Sequence, residues 1–415
     1  MHSNRFKNLT SSSKITIVVG GRWHAFDLAR ELFLKGHLHR LITNYPAYYV
    51  KRWGIPEKHI VSLPITFFLI KFIYWLGGES LMMRCQWLVH SLFARQAAKY
   101  LSGSKLIHAW SSWAEPSLIW AANRSIPTLL ERSSAHILEQ SRLLTEEYQR
   151  LHLKWIPTHK KIEEMECDEY KIATKISTPS QFVLNSFLDR GFDHFQLVRN
   201  GFGVNQDLFT PSQEDKSMHP VSLSILYAGT ISVQKGIHDL LIAFENFSHS
   251  KATLTLLGGM TSPIKRLLNR TDYRINLPGH KPQADLPAFY QAHNLFVMPS
   301  IQDGMAMVQL QALASGLPLV CTTNSGGEDL LQMGGNSPVI HKISGEQVLE
   351  YPAGWVIPIH CPHVLTEIFL KLSQNLSILA AKRNNAIALT KTEFTWQSYA
   401  ERAISIYMSL LEKNE

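Results

Sequence analysis

Short apolar runs alternate with longer stretches whose apolar residues recur every three or four positions, and this rhythm occurs twice along the chain. In the first half, residues 15–19, 106–109, 128–130, 175–177 and 196–198 have the length and aliphatic content of buried strands. Residues 26–34, 81–101, 136–149 and 181–188 carry helical spacing. In the second half the predicted strands are 223–227, 253–257, 274–277, 295–298, 318–321 and 355–357, with helices at 237–247, 286–291, 307–314 and 364–373. Strands that alternate with helices, and that are apolar throughout, belong to parallel sheets covered on both faces. The polar segment 210–220 (TPSQEDKSMHP) interrupts the rhythm with the composition of a linker. The pattern predicts an α/β chain of two doubly wound domains facing a central cleft. Its parts are a polar tail 1–13, a first domain 14–209, a linker 210–220, a second domain 221–390 and a terminal segment 391–415. The helix 395–411 in that last segment is expected to pack back on the first domain.

Composition narrows the function classes. The chain has 415 residues, 45% apolar and 18% charged, enough for two ordinary domains. Four cysteines (Cys85, Cys167, Cys321, Cys361), with no CxxC pair, argue against a disulfide framework and a zinc site, and a reducing cytoplasm is expected. The early apolar run 15–19 is shorter than a secretory h-region, so export is not expected. The formal charge of +8 is spread out, which suits an anionic ligand or membrane surface rather than nucleic acid. The longest apolar stretch, 63–76 (LPITFFLIKFIYWL), contains Pro64 and Lys71 and falls short of the roughly 20 residues of a spanning helix. The aromatic and basic patch 63–84, with Trp75 and Trp87 nearby, reads first as core packing. Its second reading is an amphipathic contact with a membrane or a lipid-linked acceptor.

Two strand-turn-helix junctions in the second half carry candidate chemistry. In 298–327 a strand stops at Pro299-Ser300, Asp303-Gly304 makes a tight turn, and a helical run follows. The N–H groups of Met305 and Ala306, with the helix dipole, would attract phosphate oxygens. In 227–236 (YAGTISVQKG), Gly229 allows close backbone approach and Lys235 places a cation at the carboxyl edge of the sheet, where ligands of open α/β sheets bind. Together they would clamp a diphosphate; Lys235 alone reads more readily as a solvated residue starting a helix.

These motifs resemble glycosyltransferase family 4, retaining nucleotide-sugar enzymes of the GT-B fold, which has two Rossmann-like domains. Residues 229–236 (GTISVQKG) are similar to the family's G-R-L-x-x-x-K-G. Lys235 matches the diphosphate-binding lysine, and Thr230 stands where the family has arginine. Residues 303–311 (DGMAMVQLQ) are similar to E-G-F-G-x-x-x-x-E, with Asp303 at the acid that contacts the donor sugar and Gln311 at the acid that binds the ribose. Asn324-Ser-Gly-Gly-Glu328 and Gly354-Trp-Val-Ile-Pro358 resemble the family's closing elements, and Asn200-Gly201 with Asp207-Leu-Phe209 its interdomain element.

The resemblance implies donor binding by Gly229, Thr230, Gly304, Met305, Ala306 and Gln311, with Gly279 and His280 toward the base. It implies an acceptor and phosphate loop at Gly20, Gly21 and Arg22. It also implies a sugar-side group in 131–136, with His136 foremost and Glu131 and Arg132 behind it. Lys235, Asp303 and His136 are the expected catalytic residues. Expected partners are a nucleotide diphospho-sugar and a glycan or lipid-linked acceptor, with a peripheral contact at the inner membrane face as an option and no nucleic acid. No cofactor or metal is expected, because no carboxylate pair in the cleft motifs has ligand spacing. Two further readings share the architecture: a non-catalytic partner that retains nucleotide binding, and another enzyme such as a nucleotide-sugar epimerase or a phosphorylase.

Overall fold

The computed structural model describes residues 13–212, 222–268 and 272–412. Residues 1–12 of the expected tail and 213–220 of the expected linker lie outside the described residues. The first sheet is built from β1 (Ile15–Val19), β2 (Leu38–Thr43), β3 (Ile60–Ser62), β4 (Leu106–Trp110), β5 (Thr128–Glu131), β6 (Lys175–Thr178) and β7 (Leu197–Arg199). Its helices are α1 (Ala25–Leu34), α2 (Ala47–Val50), α3 (Ile65–Ala97), α4 (Glu115–Ala122), α5 (Ile137–Arg150), α6 (Lys160–Ile172) and α7 (Gln181–Leu188). The second sheet comprises β8 (Ser224–Ala228), β9 (Thr253–Leu257), β10 (Ile275–Asn276), β11 (Leu295–Met298), β12 (Leu319–Thr322), β13 (Val339–Ile343), β14 (Glu346–Tyr351) and β15 (Gly354–Ile357). It is covered by α8 (Ile237–Asn246), α9 (Ser262–Leu267), α10 (Leu286–Ala292), α11 (Met307–Ala314), α12 (Gly327–Gln332) and α13 (Pro362–Gln374). Then follow α14 (Ser377–Glu393) and α15 (Trp396–Glu412).

The first sheet runs β3-β2-β1-β4-β5-β6-β7 and is parallel throughout. The second runs β10-β9-β8-β11-β12-β15, also parallel, and continues through an antiparallel β14-β13 hairpin. Both sheets thus reverse strand order beside their first strand, between β1 and β4 and between β8 and β11. At such switch points the loops leaving adjacent strands diverge to opposite faces and leave a crevice for a ligand. The strands there are fully buried on both faces, β1 (ITIVV) and β11 (LFVM) alike, which is why they read as unbroken apolar runs.

Two crossings tie the domains together. Val204 N–H donates to the Phe394 carbonyl at 2.7 Å, and a Cβ on Gly203 would lie 2.6 Å from the Thr395 backbone. The α15 helix packs on α1 and across the first domain. Lys35 pairs with Glu401 at 3.0 Å, and the Tyr407 hydroxyl meets buried His108 Nδ1 at 2.7 Å.

Several elements differ from the sequence expectation. The predicted helix 81–101 is the second half of α3, which continues back through 65–76 across Gly78, whose φ of 62° and ψ of −153° interrupt the helical run. α3 is long and apolar enough to cross a membrane by length and composition. Its second half buries Met82, Val89, Phe93, Ala94 and Ala97. Its first half corrects the core-packing reading of 63–84: Phe68 is 57% exposed, Phe72 53% and Trp75 79%. α6 was missed because two of its inward residues are acidic. Glu169 accepts the N–H groups of Ser112, Ala114 and Glu115 at 2.7, 2.7 and 3.1 Å, and Glu166 pairs with Arg132 at 2.8 Å. A hydrophobic period cannot reveal a helix face that buries paired carboxylates.

Candidate functional site

After β8 the chain turns at Gly229, and Ile231 N–H donates to the Gly259 carbonyl at 2.8 Å, which stitches this loop to the one after β9. Gly236, at φ 65°, then opens α8; a Cβ there would lie 1.9 Å from the Pro299 carbonyl oxygen. Only glycine lets the loops after β8 and β11 approach so closely. Ile301 N–H reinforces the approach by donating to the Gln234 carbonyl at 3.0 Å. The result is a direct ion pair between Lys235 Nζ and the Asp303 carboxylate, 19% and 15% exposed, at the switch point of the second sheet. Asp303 is itself held by its N–H, which donates to the Asn324 carbonyl at 2.9 Å.

Immediately beyond, Gly304, Met305 and Ala306 lead into α11, whose N-cap Ala306 provides no side-chain cap. Gln309 N–H in the first turn is taken by the Ala306 carbonyl at 2.9 Å, and Met305 and Ala306, just ahead of the helix, are 4% and 8% exposed, so an anion would meet their N–H groups in a nearly closed setting. Gln311, on α11, is 7% exposed and accepts the Tyr290 hydroxyl at 2.9 Å, which occupies one acceptor position of its amide and leaves the NH₂ free to donate. Thr230 is exposed, and its carbonyl accepts the Tyr227 hydroxyl at 2.7 Å. Gly279 (φ 75°) and exposed His280 follow β10, next in the chain to a cavity of about 530 Å³ lined by Thr255, Asn276, Pro278, Phe289 and His293.

Across the cleft, Gly20 packs under Trp113, where a Cβ would sit 2.0 Å from the ring. The Gly21 carbonyl accepts Thr43 Oγ1 at 3.0 Å, and Arg22 is exposed with its guanidinium 5.5 Å from the Trp53 ring centre. The 131–136 segment divides in two. Ser133 and Ser134 face the second domain: a Cβ on Gly304 would lie 1.8 Å from the Ser133 carbonyl oxygen, and Gln302 Nε2 donates to Ser134 Oγ. From α7, Ser180 Oγ donates to the Gly304 carbonyl at 2.6 Å.

Glu131, Arg132 and His136 instead turn into the first domain. Burial alone would raise the Glu131 carboxyl, but the hydrogen bond from His108 and the His24 ring 3.4 Å away outweigh it and hold the group down at about 2. Arg132 donates to the Ala135 carbonyl at 2.9 Å and pairs with Glu166. His136 is 3% exposed, accepts Leu138 N–H on Nδ1 at 3.2 Å as the N-cap of α5, and packs among Tyr170, Phe187 and Phe192. Burial, with Arg190 and Arg132 close by, lowers it to about 3, so the ring is neutral at pH 7. The geometry gives His136 the work of a helix cap rather than a cleft residue. Ser134 and Gln302, which bond each other, and Ser180, which bonds the Gly304 backbone, were absent from the sequence expectation and are among the side chains that join the domains. Ser180 was legible only as a helix cap, a role it also fills toward Val183 N–H at 3.3 Å.

A second polar junction joins the domains. Glu147 on α5 contacts His238 at 2.5 Å, His360 at 2.7 Å and Arg150 at 2.7 Å, and Arg150 reaches Asp239 at 3.0 Å. Burial opposes ionisation of Glu147, yet bonds from His238, His360 and Arg150 hold it well below the usual carboxylate range. Among the described residues, two trios have donor atoms within 4.8 Å of one another: Glu147, His238 and Asp239, and Glu346, Cys361 and His363. At the first, Arg150 already supplies the cation.

Residues 222–349 match the family model described as "Glycosyl transferases group 1". The chain is 26% identical over 229 residues to glycogen synthase of Mycobacterium tuberculosis, covering 53% of this chain and 49% of that protein. It is 30% identical over 147 residues to the putative teichuronic acid biosynthesis glycosyltransferase TuaC of Bacillus subtilis, covering 34% and 36%. The chain thus spans half or less of the length of these relatives. The Anabaena Alr3699/HepE structure in complex with UDP-glucose superposes with a TM-score of 0.64 at 15% identity, over 95% of this chain and 99% of that one. Two doubly wound sheets facing one cleft, with these structural neighbours, make the architecture a GT-B fold.

Proposed function

We propose that the protein is a retaining glycosyltransferase of hexosyltransferase type, akin to glycosyltransferase family 4. It transfers a sugar from a nucleotide diphospho-sugar to a glycan or lipid-linked acceptor in polysaccharide synthesis. The observation that carries this reading is the meeting of Lys235, Asp303 and the uncapped start of α11 at one switch point. The fold of a neighbour that binds UDP-glucose and the match to glycosyl transferases group 1 support it. On this reading the diphosphate lies between Lys235 and the N–H groups of Met305 and Ala306. Gln311 donates to the ribose, Gly229 and Thr230 line the phosphate side, and Gly279 and His280 border the base.

The reaction breaks the bond between the anomeric carbon and the diphosphate oxygen, and negative charge grows on that oxygen. Lys235 and the helix N–H groups stabilise this charge where it counts toward rate. The acceptor hydroxyl attacks the same face of the sugar and gives its proton to the departing phosphate oxygen, so the anomeric configuration is retained. Asp303 releases Lys235 to the diphosphate and turns to the sugar. Gly20, Gly21 and Arg22 close the acceptor side. No metal is invoked, and the site is cytoplasmic, with a lipid-linked acceptor bringing the protein to the inner membrane face.

The test is turnover of UDP-, GDP- and ADP-sugars by purified protein, followed by nucleotide diphosphate release with and without candidate glycan acceptors. Release from one donor establishes the reading. Saturable binding without release would favour a non-catalytic partner, the reading motivated by Thr230 and Gln311. Conversion of the donor to another nucleotide-sugar with no acceptor present would indicate an epimerase.

A further inference from the structure

In a helix that packs on a protein core the apolar stripe faces inward, but the first half of α3 reverses this. Ile65, Phe68, Phe72 and Trp75 follow one another at spacings of three, four and three, so they form a single stripe, and they are 60%, 57%, 53% and 79% exposed. Leu76 borders the stripe, Tyr74 lies on the far side of the helix, and both are half exposed. The inward face of these three turns is thin, with Thr66 and Ile73 its buried residues. Water does not favour six large apolar side chains laid out along about 18 Å of helix. Gly78 then breaks the helical run, and the remainder of α3 enters the core of the first domain.

The surroundings identify what covers the stripe. Between residues 45 and 84 there are five cations (Lys51, Arg52, Lys58, Lys71, Arg84) and two carboxylates (Glu57, Glu79). Lys71 lies along the helix with its ammonium 4.4 Å from the Phe67 ring centre, an arrangement that leaves the charge at the rim of an apolar surface. Aromatic rings bordered by basic residues suit the boundary between acyl chains and anionic headgroups.

The stripe is also continuous with the cleft. Stripe residue Phe68 meets Phe67 edge-on at 5.4 Å, tilted ring contacts run on from Phe67 to Tyr45 at 4.9 Å, from Tyr45 to Tyr49 at 5.1 Å and from Tyr49 to Trp53 at 5.5 Å, and the Arg22 guanidinium lies 5.5 Å from the Trp53 ring centre. Along this path Tyr48 and Trp23 are 68% and 61% exposed.

We infer that the outer face of residues 65–76 docks the protein on an anionic lipid bilayer and aims the Gly20–Arg22 loop at acceptors held in that surface. The docking stands on the α3 surface itself; the acceptor half rests on the glycosyltransferase reading.

The experiment is co-sedimentation of the full chain with vesicles of phosphatidylcholine alone and of phosphatidylcholine with about one-third phosphatidylglycerol. The Phe72→Ser/Trp75→Ser and Lys71→Glu/Arg84→Glu pairs are run alongside, and each protein is also examined by sedimentation velocity without lipid. Wild type should bind the anionic vesicles and release in 1 M salt. The aromatic pair should bind at least tenfold less while hydrolysing soluble donor at the wild-type rate, and the charge pair should lose the preference for anionic vesicles. Absence of wild-type binding, or equal binding by the aromatic pair, overturns the proposal. So does a lipid-free dimer that the aromatic substitutions dissociate, since a second copy would then cover the stripe. Intact vesicle binding with no donor hydrolysis would instead count against the glycosyltransferase reading and leave the docking surface standing.

Discussion

At the scale of single residues, the site is held in shape by glycines and charged by one ion pair. Gly236 has φ 65° and no room for a Cβ beside Pro299. The Gly236→Ala substitution should cost about 2 kcal/mol or more of stability, measured by denaturant unfolding, because the side chain is strained and the loops after β8 and β11 must separate. Gln311 tests the ribose contact. A carboxylate there would still accept the Tyr290 hydroxyl and would also accept a ribose hydroxyl. Gln311→Glu should therefore tighten nucleotide-sugar binding several-fold by calorimetry; unchanged or weaker binding would place the ribose elsewhere.

At the scale of elements, the parallel strands of the second domain were legible because uniform burial produces unbroken apolar runs, and α8, α10, α11 and α13 because their apolar residues recur with helical spacing, whereas α9, α12 and α14 were not read. Some strands were missed too. β2 carries His39 and Arg40 in its middle, and the β13–β14 hairpin sits at the sheet edge with Val339 and Ile340 exposed. The chemistry divides similarly. Lys235 and Asp303 were singled out because two strand-turn-helix junctions together resembled one family's motifs, and the structure brings the two side chains into one ion pair. The role of His136 was not legible, because a histidine opening a helix looks the same in sequence whether it serves the cleft or caps the backbone.

The buried end of α3 offers an element-scale test. His90 stacks on Trp113 at 3.6 Å between centroids, and burial lowers it to about 3. Between that value and the unfolded value of about 6.5, the unfolded chain binds the extra proton, so stability falls as pH drops through this window. At pH 5 the loss from this group is about 2 kcal/mol. His90→Phe should lose less stability than wild type between pH 6.5 and pH 5, by about that amount, in guanidinium titrations at the two pH values. Equal losses would show that His90 is solvated in the fold.

At the scale of the molecule, the two sheets bring half a site each, and the junction at Gly304 decides how closely they approach. Gly304 is not in the left-handed region, so alanine is tolerated within its own domain, but its Cβ would meet the Ser133 carbonyl of the other. Gly304→Ala should hold the domains apart, lowering turnover at least tenfold with a larger radius of gyration in solution scattering and little change in the unfolding midpoint. Wild-type turnover would mean that this contact is not part of the working conformation.

The proposed function depends on Lys235, released from Asp303, holding the donor diphosphate. The most direct measurement is calorimetric titration of the nucleoside diphosphate of the active donor into wild type, Lys235→Ala and Asp303→Ala. Turnover of the nucleotide-sugar is assayed in parallel. Lys235→Ala should weaken diphosphate binding and lower turnover by about 10² to 10³ in a folded protein. Asp303→Ala, which frees the lysine, should bind the diphosphate at least as tightly as wild type while turnover falls. Undiminished binding and turnover in folded Lys235→Ala would mean that the diphosphate is held elsewhere.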